Sequence, residues 1–146
     1  MEDPYDLGRF VAAQDAHRTY DDAIAELRRG RKTSHWMWFV FPQIAGLGFS
    51  PAAQRYAISS LDEARAYLRH PVLGPRLAGS ARVLTEVAGR SADQIFGGLD
   101  AQKLRSCMTL FLRADPGDPA GFAEVLRQYF DGQPDPATDR LLGAGA

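Results

Sequence analysis

Cysteine and lysine are scarce in this chain of 146 residues. Cys107 is the single cysteine, and only Lys32 and Lys103 are lysines among 17 basic residues. One thiol excludes an intramolecular disulfide and a cysteine-based metal cluster. The three histidines share no metal-ligand spacing, so we expect no metal site and no cofactor.

A charge bias, long apolar runs and catalytic motifs are also missing. The formal net charge is −1, so no overall attraction to nucleic acid or to an acidic membrane is expected. No apolar run approaches the ~18 residues of a membrane span, and residues 1–6 are too acidic for a secretion signal. We therefore predict a cytoplasmic protein. No P-loop, dinucleotide fingerprint, zinc-protease motif or nucleophile elbow occurs, which leaves open whether the chain is an enzyme.

The clearest pattern in the sequence is helical periodicity. No segment alternates polar and apolar residues as a strand does, and apolar residues instead recur every three or four positions. One helix, which Asp100 can cap, has the stripe Leu104, Cys107, Met108 and Phe111. Ser60 with Glu63 predicts a capping box, and Asp135-Pro136 is expected to open a last helix.

These patterns predict one all-α domain, residues 1–146, of about seven to nine short helices. The core spans about residues 6 to 142, and the Gly-Ala tail frays. Ten side chains that recur at helical spacing are predicted to be buried: Phe10, Ile24, Leu27, Leu68, Leu84, Leu104, Met108, Phe111, Leu126 and Phe130.

The most apolar segment, residues 34–50, contains both tryptophans. We predict a short helix to about residue 40 and then a loop, since no partner strand supports a β interpretation. Trp36 and Trp38 are candidates for a wall on which a flat ligand stacks, or they are core residues. They are two positions apart, so on a helix they point in roughly opposite directions, and one ring can still line a cleft.

The loop of this segment holds Gln43, Gly46 and Gly48. Two glycines allow the backbone to approach a ligand closely, and the Gln43 amide offers both a donor and an acceptor. The alternative is a tight turn in which glycine supplies a positive φ.

A second polar group lies on the Asp100 helix, where Lys103 and Ser106 share one face. A lysine near a helix start can bind a phosphate, whereas the alternative is a cap followed by a solvated face. We predict a cleft between the two segments for a small nucleotide-like or phosphate-bearing ligand.

Candidate catalytic residues are Glu63, Asp100 and His35, with glycosidic-bond hydrolysis as the first reaction class to test. The alternative function is a protein-interaction module with exposed aromatic residues and no catalysis.

Four segments resemble a bacterial family catalogued as domain of unknown function 1810, whose members are sometimes labelled calpastatin. The segments are 34–48, 63–68, 70–77 and 100–111, and the likeness extends from about residue 6 to 142. The resemblance implies a multihelical fold and no established activity. A second resemblance, through Glu63 on one helix and Lys103, Met108 and Phe111 on another, is to helical domains that process ADP-ribose derivatives. It implies an ADP-ribose-type ligand and assigns no catalytic residue.

Overall fold

A computed structural model of the chain describes residues 3–115 and 117–144, in which helices joined by short loops are the main secondary structure. The helices are α1 (Gly8–Asp15), α2 (Thr19–Arg28), α3 (Met37–Val40), α4 (Pro51–Arg55), α5 (Leu61–Arg69), α6 (Leu73–Glu86), α7 (Ala92–Phe96), α8 (Gly98–Ala114), α9 (Phe122–Phe130) and α10 (Pro136–Ala144). Among the described residues nine helices have five residues or more, since α3 is a single turn of four. The predicted all-α fold class is confirmed.

The longest helix, α8, lies at the centre and packs against α5, α7, α9 and α10. Nine of its side chains are buried, as expected of a helix enclosed on several sides. The prediction that Asp100 caps this helix is wrong. The helix begins at Gly98, after Gly97 with a φ of 80°, and Asp100 lies in its first turn. Its carboxylate is therefore available to neighbouring side chains.

Ser60 caps α5 as predicted, but the reciprocal bond of the capping box does not form. The Ser60 Oγ accepts the Glu63 N–H at 3.1 Å. The Glu63 carboxylate instead accepts the N–H of Ser59 at 2.8 Å and its hydroxyl at 2.7 Å. The same carboxylate bonds to Arg9 at 3.0 Å, so Glu63 ties the start of α5 to α1.

Seven of the ten predicted core residues are buried, and Ile24, Leu68 and Phe130 are only partly buried against that core. In α5 the buried face is rotated around the helix axis from the face that was predicted. Ala64 and Tyr67 are both completely buried, so they form the centre of the inward face and Leu68 lies at its edge.

The segment between α3 and α5 is held in place by one isolated parallel β-bridge, between Ile44 and Ile58. The Ile58 N–H donates to the Gln43 carbonyl at 2.8 Å, and the Ala45 N–H donates to the Ile58 carbonyl at 2.8 Å. Phe41, just before the bridge, packs against Trp36 and Phe96 with ring centroids about 6 Å apart. The buried aromatic rings and the bridge together fix the position of Gln43.

Candidate functional site

A cleft of about 210 Å³ lies between residues 38–48, the first half of α8 and the start of α10. It brings together side chains from three distant parts of the sequence. Its walls are formed by Trp38, Gln43, Leu47, Gly48, Leu99, Gln102, Lys103, Ser106, Asp135 and Ala137.

Gln43 is the residue in this cleft whose hydrogen bonding is incomplete. Its Nε2 atom is buried and has no hydrogen-bond partner among the described residues. A buried donor without an acceptor costs about 1–3 kcal/mol, and a water or a ligand normally supplies the acceptor. Gln43 also borders an adjoining space of about 10 Å³, roughly the size that admits one water molecule.

The cationic side of the cleft is Lys103. Its Nζ lies 4.7 Å from the centroid of the Trp38 ring and 2.9 Å from Asp100 Oδ1. Asp100 Oδ2 is in turn 3.0 Å from the Nζ of Lys32, so the two lysines of the chain share one carboxylate. Burial raises the pKa of Asp100, but hydrogen bonds from Lys103 and Lys32 outweigh it and lower the pKa overall.

The anionic side of the cleft is Asp135, which is only 3% exposed. Its Oδ2 accepts bonds from the Ser106 hydroxyl at 2.8 Å and the Thr138 hydroxyl at 2.6 Å, and from the Thr138 N–H at 3.3 Å. Its Oδ1 accepts one bond, from Gln102 Nε2 at 3.2 Å. Burial raises the pKa of Asp135, but the bonds from Thr138 and Ser106 lower it on balance, which keeps the group a carboxylate at neutral pH.

Trp36 belongs to the core rather than to the cleft. The residue is completely buried, and its indole N–H donates to Glu26 Oε1 at 3.0 Å. The same oxygen accepts the N–H groups of Thr33 and Ser34 at 2.7 and 2.9 Å. Burial raises the pKa of Glu26, but the bonds from Ser34, Thr33 and Trp36 bring it down to about 2. A ring with no exposed surface cannot stack on a ligand, so this candidate is corrected.

None of the three candidate catalytic residues is placed to act as an acid in the cleft. Glu63 lies elsewhere, against Arg9 and Ser59, where it borders an open surface depression. Asp100 is held as an anion by two lysines. His35 is exposed and is not among the residues that line the cleft.

The family described as "Protein of unknown function (DUF1810)" matches residues 4–142. The chain belongs to this family. A crystal structure described as the conserved hypothetical protein Rv1873 from Mycobacterium tuberculosis shares 52% sequence identity and a TM-score of 0.92, covering 97% of this chain and 99% of that chain. No curated protein matches.

The cleft of this DUF1810 protein contains five of the seven residues that the sequence suggested for ligand binding: Trp38, Gln43, Gly48, Lys103 and Ser106. Gly46 borders only the small adjoining space. Its φ is 105°, and a Cβ at this position would lie 3.2 Å from Leu141. Gly46 therefore serves the turn and its packing, which is the alternative that the sequence left open.

Sequence reasoning missed Asp135, Gln102 and the two leucines of the cleft. Asp135 was recognised only as the opening of a helix, and it does accept the Thr138 N–H at the start of α10. Nothing in the local pattern shows that α10 returns to α8 and brings Asp135 to Ser106, 29 residues earlier in the chain. A tertiary contact of this kind has no signal in helical periodicity.

Within residues 3–115 and 117–144, no helix is long and apolar enough to cross a membrane. In the same residues no three His, Cys, Asp or Glu side chains are grouped so that they could hold a metal ion.

Proposed function

We propose that this DUF1810 protein binds a small nucleotide-like or phosphate-bearing ligand in the cleft between residues 38–48, α8 and α10. The observation that supports this most strongly is the buried Gln43 Nε2, which lacks an acceptor in the part of the chain that the structure describes. A ligand carbonyl, hydroxyl or phosphate oxygen would satisfy it. Lys103, on the same cleft, supplies the positive charge that an anionic ligand needs.

The size of the cleft limits the ligand. At about 210 Å³ it is below the roughly 300–1,000 Å³ of sites that enclose a drug-sized molecule. An ADP-ribose-type compound, the first class to test, would therefore place one part in the cleft and leave the rest outside it, past Leu99. Binding rather than catalysis is proposed, because Glu63 and Asp100 are both committed to ion pairs.

A thermal-shift screen tests the proposal. The panel consists of nucleotides, ADP-ribose and sugar phosphates, since a ligand at ~100 times its Kd adds about 2.7 kcal/mol to the free energy of unfolding. We expect at least one compound to raise the Tm of the wild type and of Gln133→Met, an exposed glutamine outside the cleft. The same compound should raise the Tm of Gln43→Met and of Lys103→Met by clearly less than it raises that of the wild type. No shift with any compound, or an equal shift in all four proteins, would show that this cleft is not the site.

A second candidate function, protein interaction, is favoured by two large apolar side chains that are exposed. Phe49 is 80% exposed and Leu99 is 83% exposed, and Leu99 lines the cleft. Large apolar side chains exposed to this degree are typical of contact surfaces when they lie together. Sedimentation velocity over a range of concentrations tests the simplest version, in which two copies associate. Association that disappears in Phe49→Ser/Leu99→Ser would support this candidate, and a monomer at every concentration would oppose it.

A further inference from the structure

The polar groups of the cleft are arranged by charge from its deep end to its mouth. Asp135 and Ser106, on the deep side, are 3% and 2% exposed. The Lys103 side chain is 21% exposed, and Leu99 beside it is almost fully exposed. The cleft is therefore anionic at its deep end and cationic at its mouth.

The deep end sets two requirements on any group that enters it. A carboxylate only accepts hydrogen bonds, and Asp135 Oδ1 accepts a long bond of 3.2 Å from Gln102 Nε2, so a group that enters beside it must be a donor. The Gln43 Nε2 has no acceptor, so the group must also accept. A phosphate at this position would face like charge from Asp135, which excludes it from the deep end.

The aromatic ring of the cleft further limits which chemical group can enter the deep end. Trp38 is the one aromatic side chain among the lining residues, and the Lys103 ammonium lies 4.7 Å from its ring centroid. A nucleobase is usually bound by stacking on an open aromatic face, and the Lys103 ammonium lies over one face of this ring. Two neighbouring hydroxyl groups supply a donor and an acceptor without needing a stacking surface.

We infer that the deep end binds the adjacent hydroxyl groups of a sugar, and that the sugar carries a phosphate that meets Lys103 at the mouth. One hydroxyl donates to Asp135 Oδ1, and the other accepts from Gln43 Nε2. Lys103 has three N–H donors, of which one bonds to Asp100, so two remain for phosphate oxygens. This inference rests on the proposed function and names the chemical class of its ligand as a sugar phosphate with adjacent free hydroxyls.

Two nucleotides that differ only in these hydroxyls provide the test. Isothermal titration of the full chain compares AMP with 2′,3′-dideoxyadenosine 5′-monophosphate, which keeps the base and the phosphate. Sites that hydrogen-bond a substrate hydroxyl discriminate strongly against analogues that lack it, so we expect AMP to bind at least about tenfold more tightly. Ribose 5-phosphate should bind and adenine should not. Binding of the two nucleotides within twofold of each other, or binding of adenine as tight as that of AMP, would overturn the inference.

Failure of this inference is distinguishable from failure of the proposed function. If the thermal-shift panel yields a phosphate compound without adjacent hydroxyls, and that compound depends on Gln43 and Lys103, the proposed function holds and the sugar inference is wrong. If neither AMP nor ribose 5-phosphate binds, the inference is also wrong, and the remaining panel decides the proposed function.

Gln43→Met is the variant that reports on hydroxyl recognition. Because Gln43 Nε2 bonds to none of the residues in 3–115 and 117–144, this change removes no hydrogen bond of that group there, whereas Asp135→Asn would also disturb the start of α10. The ratio of AMP to dideoxy affinity should fall at least threefold in Gln43→Met and remain at the wild-type value in Gln133→Met. An unchanged ratio in Gln43→Met would show that this amide does not read a hydroxyl.

Discussion

The Lys103 ammonium lies 4.7 Å from the centre of the Trp38 ring and 2.9 Å from the Asp100 carboxylate. A similar arrangement is found on the other side of Asp100, where the Lys32 ammonium is 5.1 Å from the Trp36 ring. Each lysine of the chain therefore lies over one of the two tryptophan rings. Both lysines also form an ion pair with the same carboxylate, that of Asp100. They differ in burial, since the side chains of Lys32 and Lys103 are 9% and 21% exposed. We interpret Lys32 as structural and Lys103 as the ligand-binding member.

Replacing each lysine with methionine should separate these roles. Lys32 also donates to the Ser34 carbonyl at 2.6 Å, so Lys32→Met should lower the free energy of unfolding by about 1–3 kcal/mol, as loss of a buried charged hydrogen bond does. Lys103→Met removes a partly exposed pair and should cost about 1 kcal/mol or less. Urea unfolding measures both, and titration with AMP should show binding by Lys32→Met alone. Equal loss of binding in the two variants would contradict the assignment.

Glu26 should make the stability of the protein depend on pH in the acid range. Folding lowers its pKa from 4.5 to about 2, so the unfolded chain takes up a proton first as the pH falls. The stability that Glu26 contributes is complete above about pH 4.5 and is lost as the pH falls toward about 2.

Urea unfolding of the wild type and Glu26→Gln at several pH values measures this contribution. Glutamine can still accept a bond but has no charge, and bonds to charged groups contribute more than neutral ones. We expect the variant to be less stable by about 1–2 kcal/mol at pH 7, with the difference shrinking as the pH falls from 5 to 2. A difference that stays constant over this range would mean that the charge of Glu26 has no part in it.

Gly74, near the start of α6, is predicted to be irreplaceable by alanine. A Cβ at this position would lie 2.1 Å from the Leu68 carbonyl oxygen, and a backbone atom cannot move away as a side chain can. Gly74→Ala should therefore destabilise the fold by about 1–3 kcal/mol or more, the usual cost of overpacking.

Gly79 in the same helix is a matched control, because the nearest atom to its Cβ would be the Tyr20 hydroxyl at 3.6 Å. Gly79→Ala should be neutral or stabilising, since alanine favours helix more than glycine does. Equal effects of the two changes in thermal unfolding would contradict this.

The fold was predictable because its signals are local. Helical spacing identified the stripe of Leu104, Met108 and Phe111 on α8, and all three side chains are buried. The Ser60 cap, which depends on neighbours within one turn, was also predicted correctly. The start of α8 was not, since Gly97 and Gly98 provide no side chain that marks a cap.

The site was predictable in part. Gln43 and Lys103 were selected because a polar amide and a lone lysine are unusual in their surroundings, and both border the cleft. The sequence does not show which of Trp36 and Trp38 is the core residue. The answer depends on Glu26, which lies ten residues before Trp36 on another helix and accepts the Trp36 indole N–H. Asp135 was missed for the same reason, since its partner Ser106 is distant in the chain.

The two indole N–H signals give the most direct test of the central claim, that the cleft of Trp38 is the ligand site. The chain has two tryptophans, so a ¹H–¹⁵N correlation spectrum contains two indole peaks, which Trp38→Phe assigns. Trp38 lines the cleft, whereas the Trp36 indole N–H is buried and bonded to Glu26. Titration with AMP should move the Trp38 peak in a saturable way and leave the Trp36 peak in place. A Trp36 peak that moves while the Trp38 peak does not, or two peaks that stay fixed at saturating AMP, would contradict the account.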